Sequence, residues 1–271
     1  MFWTCRSLPT LKEAPILQFS VLGSGSKGNC VYIENGNHRI LLDAGLSLRS
    51  LKERMARIGR DLADVSAVFF THEHSDHIRG AGMLSKKYKL PLYGTRGTLA
   101  KIEHHLPPDA DWHVIEREDE VCLGSLRVES YPTPHDGVES VAFVVHYGDH
   151  RLGHATDLGC IDMTVLEKMR GCDALLVESN HDPEMLKTGP YPWPLKQRVG
   201  GDRGHLSNEA CAQLLNQVKH NDLKTVVLMH LSGVNNHPDI VRRHATGALA
   251  GSHADLHISE QDHPTPLISL I

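Results

Sequence analysis

Apolar residues recur along the chain with two periods, and the order in which those periods alternate sets the architecture. Stretches 16–22, 30–34, 39–42 and 65–70 are short, rich in β-branched, leucyl or aromatic residues, and bounded by Gly, Asn or Asp, which predicts strands. Residues 90–93, 113–115, 120–123 and 126–131 follow suit, as do 141–147, 151–155, 173–178, 224–229 and 254–259, the last of these read as the final strand. Helical spacing appears at 46–59, in a short helix running to about Tyr88, and at 95–105, 164–169, 208–219 and 239–250. Asn35-Gly36-Asn37 and Gly148-Asp149-His150 mark hairpins. Strands and helices that alternate in this way, with hairpins between them, predict a layered α/β sandwich.

Two segments break the pattern. Gly23-Ser24-Gly25-Ser26-Lys27-Gly28-Asn29 lies between two strands and carries no P-loop Lys-Ser/Thr pair, so it reads as a tight turn and not as a nucleotide site. Residues 183–204 look irregular and hold Tyr191, Trp193, Lys196, Arg198 and Arg203 among Pro and Gly. Aromatics interleaved with cations suit an unpaired nucleic-acid strand, bases on rings and phosphates on charges. A proline-rich surface loop with its Trp tucked into the core is the other reading. The helix at 46–59 sets Arg49, Lys52, Arg54, Arg57 and Arg60 on an outer face expected to be solvated.

With 271 residues and no long linker, residues 15–271 are expected to form one domain behind a loosely held leader at 1–14. A formal net charge of −5 argues against a protein that coats duplex DNA, although bound metal would restore positive charge locally. Six scattered Cys form no C-x-x-C pair, the start lacks an apolar export core, and no apolar run is long enough to span a bilayer. A soluble cytoplasmic protein is expected.

The chemistry concentrates at 71–77, Thr-His-Glu-His-Ser-Asp-His. Imidazoles at i and i+2 on extended backbone project to one side, so His72 and His74 can grip one cation. A helix starting there aims Asp76 and His77 elsewhere, which suits a second metal nearby. Pro132 and Pro134 stiffen the loop that carries His135 and fix where it points. Solvated loop histidines are the bland alternative, and the density of ligand types within one short stretch argues against it.

This string resembles the HxHxDH signature of metallo-β-lactamase fold hydrolases, and the resemblance implies a four-layer αββα sandwich with two divalent ions. His72, His74 and His135 then correspond to the ligands of one ion and Asp76, His77 and His230 to those of the other. Asp157 corresponds to the carboxylate that bridges them, and Asp43 in Leu-Leu-Asp-Ala-Gly to a residue that orients the histidine loop. The segments GSGSKGN, ESNHD, GDRGHLSN and HLSGVNNHP look like the YycJ/WalJ group, regarded as nuclease-like. Resemblance to tRNase Z-type enzymes places Glu178 and His205 at proton transfer to the leaving oxygen, with Asp76 receiving a hydrogen bond from the nucleophile. Such donors admit zinc or manganese, with iron also possible.

The reading that follows is a phosphodiesterase acting on nucleic acid, an exonuclease on single-stranded DNA or RNA ends. A hydrolase of a small phosphodiester or thioester is the alternative, and a non-catalytic scaffold stands third.

Overall fold

The computed structural model describes residues 16–271, so the leader expected at 1–14 lies outside the described residues. The chain begins with β1 (Leu17–Gly23), β2 (Cys30–Glu34) and β3 (Arg39–Leu42), an antiparallel meander, and continues through β4 (Ala67–Phe69), β5 (Leu92–Gly94) and β6 (Trp112–Val114), which run parallel to β3. The connections from β3 to β6 carry helices α1 (Leu48–Arg57), α2 (Ser75–Ile78), α3 (Ala81–Tyr88) and α4 (Arg96–Ile102). A second sheet follows from β7 (Glu120–Leu123), β8 (Leu126–Pro132), β9 (Val141–Tyr147) and β10 (His150–Ala155), antiparallel, then β11 (Ala174–Glu178), β12 (Thr225–Met229) and β13 (Asp255–Ile258), parallel to β10. Between these last strands lie α5 (Met163–Met169), α6 (Pro183–Thr188), α7 (Trp193–Val199), α8 (Asn208–Val218) and α9 (Pro238–Ala248). A closing strand, β14 (Ile268–Leu270), returns to pair antiparallel with β1, so each sheet has seven strands.

Period-two alternation sorts the strands' side chains into layers. Phe19, Ile33, Leu42 and Phe69 of the first sheet meet Val128, Phe143, Leu176 and Val227 of the second, and Phe69 and Phe143 touch edge to face at 5.8 Å. Their neighbours point outward. Tyr32, Leu41, Val68 and Phe70 pack under Leu51 and Met55 of α1 and Leu84 of α3. On the far side Val144, Val177, Val226 and Leu228 pack under Met169 of α5, Leu214 of α8 and Val241 of α9. Four layers, helix, sheet, sheet, helix, result because both faces of both sheets are apolar and each must be covered. Ser207 caps α8, as its position predicts, by accepting from the Ala210 amide at 3.1 Å.

The structure corrects several expectations. The helix foreseen up to Tyr88 divides into α2 and α3 at Gly80, whose amide donates to the Ala44 carbonyl at 2.7 Å. Residues 183–204 hold two helices, α6 and α7. Both carry Pro in the first turn, where its missing N–H costs nothing, so prolines that read as breakers are helix starters here. Trp193 is 67% exposed, which removes the reading that tucks it into the core. The strand read as the final one, β13, is followed by β14, which escaped notice because it is three residues long and follows Pro264 and Pro266.

The basic face of α1 also needs amending. Arg54 is buried, and its Nη1 donates to the carbonyls of Leu22 at 2.9 Å and Gln261 at 2.7 Å, tying the end of β1 to the C-terminal segment. Arg60 turns to Glu34, donating from Nε at 2.8 and 3.0 Å and from Nη2 as well, while Tyr32 Oη donates to the same carboxylate at 2.8 Å and Arg39 at 3.3 Å. Burial alone would raise the Glu34 pKa, but the Arg60 and Tyr32 hydrogen bonds outweigh it and hold the carboxylate below its usual range.

A folded pKa below the unfolded one means that the stabilisation is complete above about pH 4.3 and drains away as pH falls through the depressed value. Glu34→Gln is therefore expected to lose on the order of 2 kcal/mol at neutral pH and to flatten the acid limb of the stability curve. Urea melts of both proteins between neutral and acid pH check this. Parallel curves with a constant gap would show that Glu34 has no special role in acid stability.

Candidate active site

Strand direction brings the chemistry to one edge. β3 and β4 end beside each other at Asp43 and the histidine loop, while β8, β10, β11 and β12 all run the same way and end at the loop of His135, at Asp157, at Glu178 and at His230. Crevices at the carboxyl ends of parallel strands are where loops and exposed backbone ends meet. Asp43, Asp157 and His230 each follow immediately or closely on a strand, and each has a positive φ, 61°, 59° and 56°. Left-handed backbone at non-glycine residues is strained by about 1–3 kcal/mol apiece. Here it turns three polar side chains back across the strand ends.

His72, His74 and His135 converge. His72 Nε2 lies 2.9 Å from His74 Nδ1, which is 3.3 Å from His135 Nε2. A second group is formed by Asp76, His77 and His230, with His77 Nε2 and His230 Nε2 at 3.6 and 3.7 Å from Asp76 Oδ2. Asp157 sits between the groups, its Oδ2 3.2 Å from His77 Nε2 and its Oδ1 3.7 Å from His135 Nε2. The sequence-derived candidates thus come together in one place. His154 and Cys160, which sequence position set aside, belong to no such cluster among the described residues.

The outer nitrogen of every one of these imidazoles faces an oxygen. His77 Nδ1 lies 2.8 Å from Asp43 Oδ2, His135 Nδ1 3.1 Å from the Gly204 carbonyl, and His230 Nδ1 2.7 Å from Glu178 Oε1. His74 Nε2 is 3.3 Å from Asp136 Oδ1. His72 Nδ1 is 2.9 Å from Thr71 Oγ1, whose own proton goes to the Asp43 carboxylate at 2.9 Å, since a carboxylate only accepts. With the outer nitrogens donating, the inner ones present bare lone pairs to each other and to Asp157 and Asp76. Asp157 Oδ2 is buried without a hydrogen-bond partner. Lone pairs aimed at a common point repel unless a proton or a cation lies between them, so the donor set fits divalent metal, with carboxylate and imidazole ligands and oriented outer partners.

Electrostatics point the same way. Burial pulls His77 and His230 down, yet Asp157, together with Asp43 for the first and Asp76 and Glu178 for the second, holds both well above the ordinary imidazole value. Burial would raise Asp157, but His230 and His77 drive it well below. His72 and His135 are pushed down, by burial first. The same carboxylates that raise His77 and His230 place negative charge where a cation would sit.

Several residues that sequence reading left without a role hold this arrangement. Asn29 of the glycine-rich turn donates its amide to the Asp76 carbonyl at 2.8 Å, and Ser24 Oγ accepts from the His230 amide at 2.7 Å. Arg203, read as a nucleic-acid contact, instead donates from Nε and Nη2 to the His135 carbonyl at 3.0 and 2.8 Å. Lys196 is spent on the Lys187 carbonyl at 2.6 Å. The signal for these roles was present in GSGSKGN and GDRGH, but nothing in a string says which atom it braces. Gly45 of Leu-Leu-Asp-Ala-Gly allows the closest approach: a Cβ there would stand 1.6 Å from the Asp76 carbonyl oxygen.

Glu178 is fully buried and serves two rings. Its Oε1 faces His205 Nδ1 at 2.9 Å as well as His230 Nδ1, and its Oε2 accepts the amides of Leu158 and Leu206, each at 2.9 Å. Burial opposes the charge, but His205 and His230 bring its pKa down to about 2 and, in return, Glu178 raises that of His205 against its own burial. The cluster opens into a cleft of about 310 Å³ lined by His74, Asp76, His205, His230, Tyr191 and Arg198. Arg198 Nε donates to Asp136 at 2.6 Å, completing a chain from α7 to His74.

Fold and site together define a metallo-hydrolase, and the chain belongs to the beta-lactamase superfamily, whose domain model matches residues 38–231. Within it the chain is 35% identical over 260 residues to the exodeoxyribonuclease YycJ of Bacillus anthracis, covering 93% of this chain and 98% of that protein. It is 34% identical over 265 residues to the exodeoxyribonuclease WalJ of Streptococcus pneumoniae, with the same coverage. The metallo-beta-lactamase fold protein YhfI of Bacillus subtilis superposes with a TM-score of 0.71 at 18% identity, over 93% of this chain and 99% of that one, which attests the fold.

Removing an outer partner should be felt at the metal. Thr71→Val and Asp43→Asn are each expected to weaken divalent metal binding about 10–100-fold, read by competition titration of the chelator-stripped protein with zinc and with manganese. Unchanged affinity in both variants would show that the orientation of His72 and His77 does not depend on them.

Proposed function

We propose that the protein is a metal-dependent nuclease that shortens DNA from an end, acting in the cytoplasm, where its buried thiols Cys30, Cys172 and Cys211 remain reduced. The observation that carries this reading is the cleft, in which the bare-nitrogen cluster shares one wall with His205 and another with Tyr191 and Arg198. Similarity over nearly the full length of two exodeoxyribonucleases supports the same substrate class.

In this reading His72, His74 and His135 would hold one ion and Asp76, His77 and His230 the other, with Asp157 available to both groups. Nitrogen and carboxylate donors without thiolate favour zinc or manganese, and iron is compatible. When bound, the ions supply Lewis acidity, lowering the pKa of a water and neutralising charge on the phosphoryl oxygens. Asp76, at the cleft, accepts a hydrogen bond from the attacking water and aligns it. His205 holds its Nδ1 proton against Glu178, which leaves Nε2 to deliver a proton to the departing sugar oxygen. Glu178 touches no substrate and is a positioning residue for His205. Arg198, held by Asp136, keeps its remaining guanidinium N–H groups as donors for a neighbouring phosphate oxygen, and Tyr191 offers a face to an unstacked base, which favours a single-stranded end.

Stepwise shortening of 5′- or 3′-labelled single strands, from one end only and abolished by chelator, is the expected result, and His74→Ala should abolish it too. Strands left intact with every metal, alongside hydrolysis of bis-p-nitrophenyl phosphate, would transfer the protein to the small-ester class. His205→Ala is expected to slow strand cleavage about 10²–10⁴-fold but to slow the nitrophenyl ester far less, because nitrophenolate leaves without a proton. Equal losses on both substrates would remove His205 from the role of acid.

A further inference from the structure

Beside the active-site cleft lies a second one, of about 710 Å³, and Ser75 lines both. We infer that this second groove is the track along which the single strand runs beyond the reaction centre, its bases on the groove's apolar floor and its phosphates on Arg79 and Lys86. The inference rests on the nuclease reading above and extends it to the residues that hold the substrate.

Helices α2 and α3 follow one another as a rod interrupted at Gly80, with Arg79 and Gly80 between them keeping right-handed helical backbone. Ser75, Ile78, Arg79, Gly82, Met83 and Lys86 line the groove at spacings of three and four, so they make a single stripe along that rod. The opposite face of α3 is taken, with Ala81 and Leu84 in the core under the first sheet. The stripe is not. Met83 is 48% exposed, an apolar side chain at the centre of a face where a soluble helix would carry polar ones. Leu106, Pro107 and Pro108 form the facing wall, which closes tightly on the rod: a Cβ at Gly82 would stand 2.4 Å from the His105 carbonyl oxygen.

Charge selects the occupant. The groove's lining contains no carboxylate, and neither Arg79 nor Lys86 has an ion-pair partner among the described residues, whereas Lys89 farther along is paired with Asp109 at 2.6 Å. Arg79 Nη1 donates to the Lys27 carbonyl at 3.0 Å, which holds the guanidinium at the glycine-rich turn whose Ser26 lines the active-site cleft. In a chain of net charge −5, two uncompensated cations alternating with apolar side chains over about 16 Å of helix match a ligand that alternates anions with flat apolar rings. An acidic peptide would satisfy the cations and leave Met83 and Ile78 uncovered. The stripe begins at Ser75, one position before Asp76, so a strand lying on it arrives at the reaction centre without a turn.

The test is binding of a short, fluorescently labelled, phosphorothioate-linked single strand to the metal-loaded protein across a salt series. The variant Arg79→Ala/Lys86→Ala is expected to bind about tenfold more weakly, with the slope of log affinity against log salt shallower by about 1.4, at roughly 0.7 for each phosphate no longer neutralised. Met83→Ser should lose affinity severalfold with the slope unchanged. All three changes are at exposed positions, and thermal melts confirm that the variants are folded. Affinity and slope equal to wild type in both variants overturn the assignment while leaving the nuclease reading intact, and are also the outcome if the groove seats a protein partner. A wild-type protein that neither binds nor cleaves the strand ends both readings together.

Discussion

Lone pairs that point at one another repel, and the site is built by forcing that repulsion. Five imidazoles present unprotonated nitrogens, and two carboxylates present oxygens, to a volume a few ångströms across. Nothing local to these residues favours such a meeting. The work is done by outer partners, Asp43, Thr71, Asp136, Glu178 and the Gly204 carbonyl, which take the protons away from the inner side. Divalent metal converts the repulsion into bonding, so the binding energy of the ions and the stability of this edge of the fold are one quantity.

The sandwich explains how those outer partners can be so rigid. Asp43, Thr71 and Glu178 sit at or close to the ends of strands whose side chains are locked between layers, and Asp43, Asp157 and His230 adopt left-handed backbone that only a tightly packed surround sustains. Asp43 and the histidine loop come from the first sheet and Asp157, Glu178 and His230 from the second, so the site forms where the ends of both sheets meet. The small residues near the edge have the same origin. Gly45 and Gly137 lie where one loop passes over another, the first against the Asp76 carbonyl and the second against Ser140 and His72.

Ligand types and strand periods were legible in the sequence because each is a local property. Two of the rings are spaced for one cation, the carboxylates follow apolar runs, and an alternation of period two names the faces. What was not legible depends on groups that meet across the chain. Arg203 reads as a surface cation until Gly204 is seen to carry it onto His135. Arg54 falls on the helical stripe of its basic neighbours, yet it is drawn inward by two carbonyl groups far away in sequence. The prolines of 183–204 mislead for a different reason, since the residue that breaks a helix interior also begins one, and only the cap at Asp182 tells the cases apart for α6.

Glu178 ties His205 to the metal-facing cluster through one side chain. One oxygen accepts from both His205 and His230, so whatever changes the charge or position of that oxygen reaches the proton donor and the metal-facing ring together. Its other oxygen is fixed by the Leu158 and Leu206 amides, one following Asp157 and the other following His205. Four segments, carrying Asp157, His205, His230 and Glu178 itself, are therefore registered by a single side chain. A buried carboxylate with donors on every side has little freedom to relax, and the geometry between His205 and the metal cluster is set before any substrate arrives. In the proposed reaction that is the preorganisation the leaving oxygen needs from His205, because a proton donor must stand at a constant distance from the centre where the bond breaks.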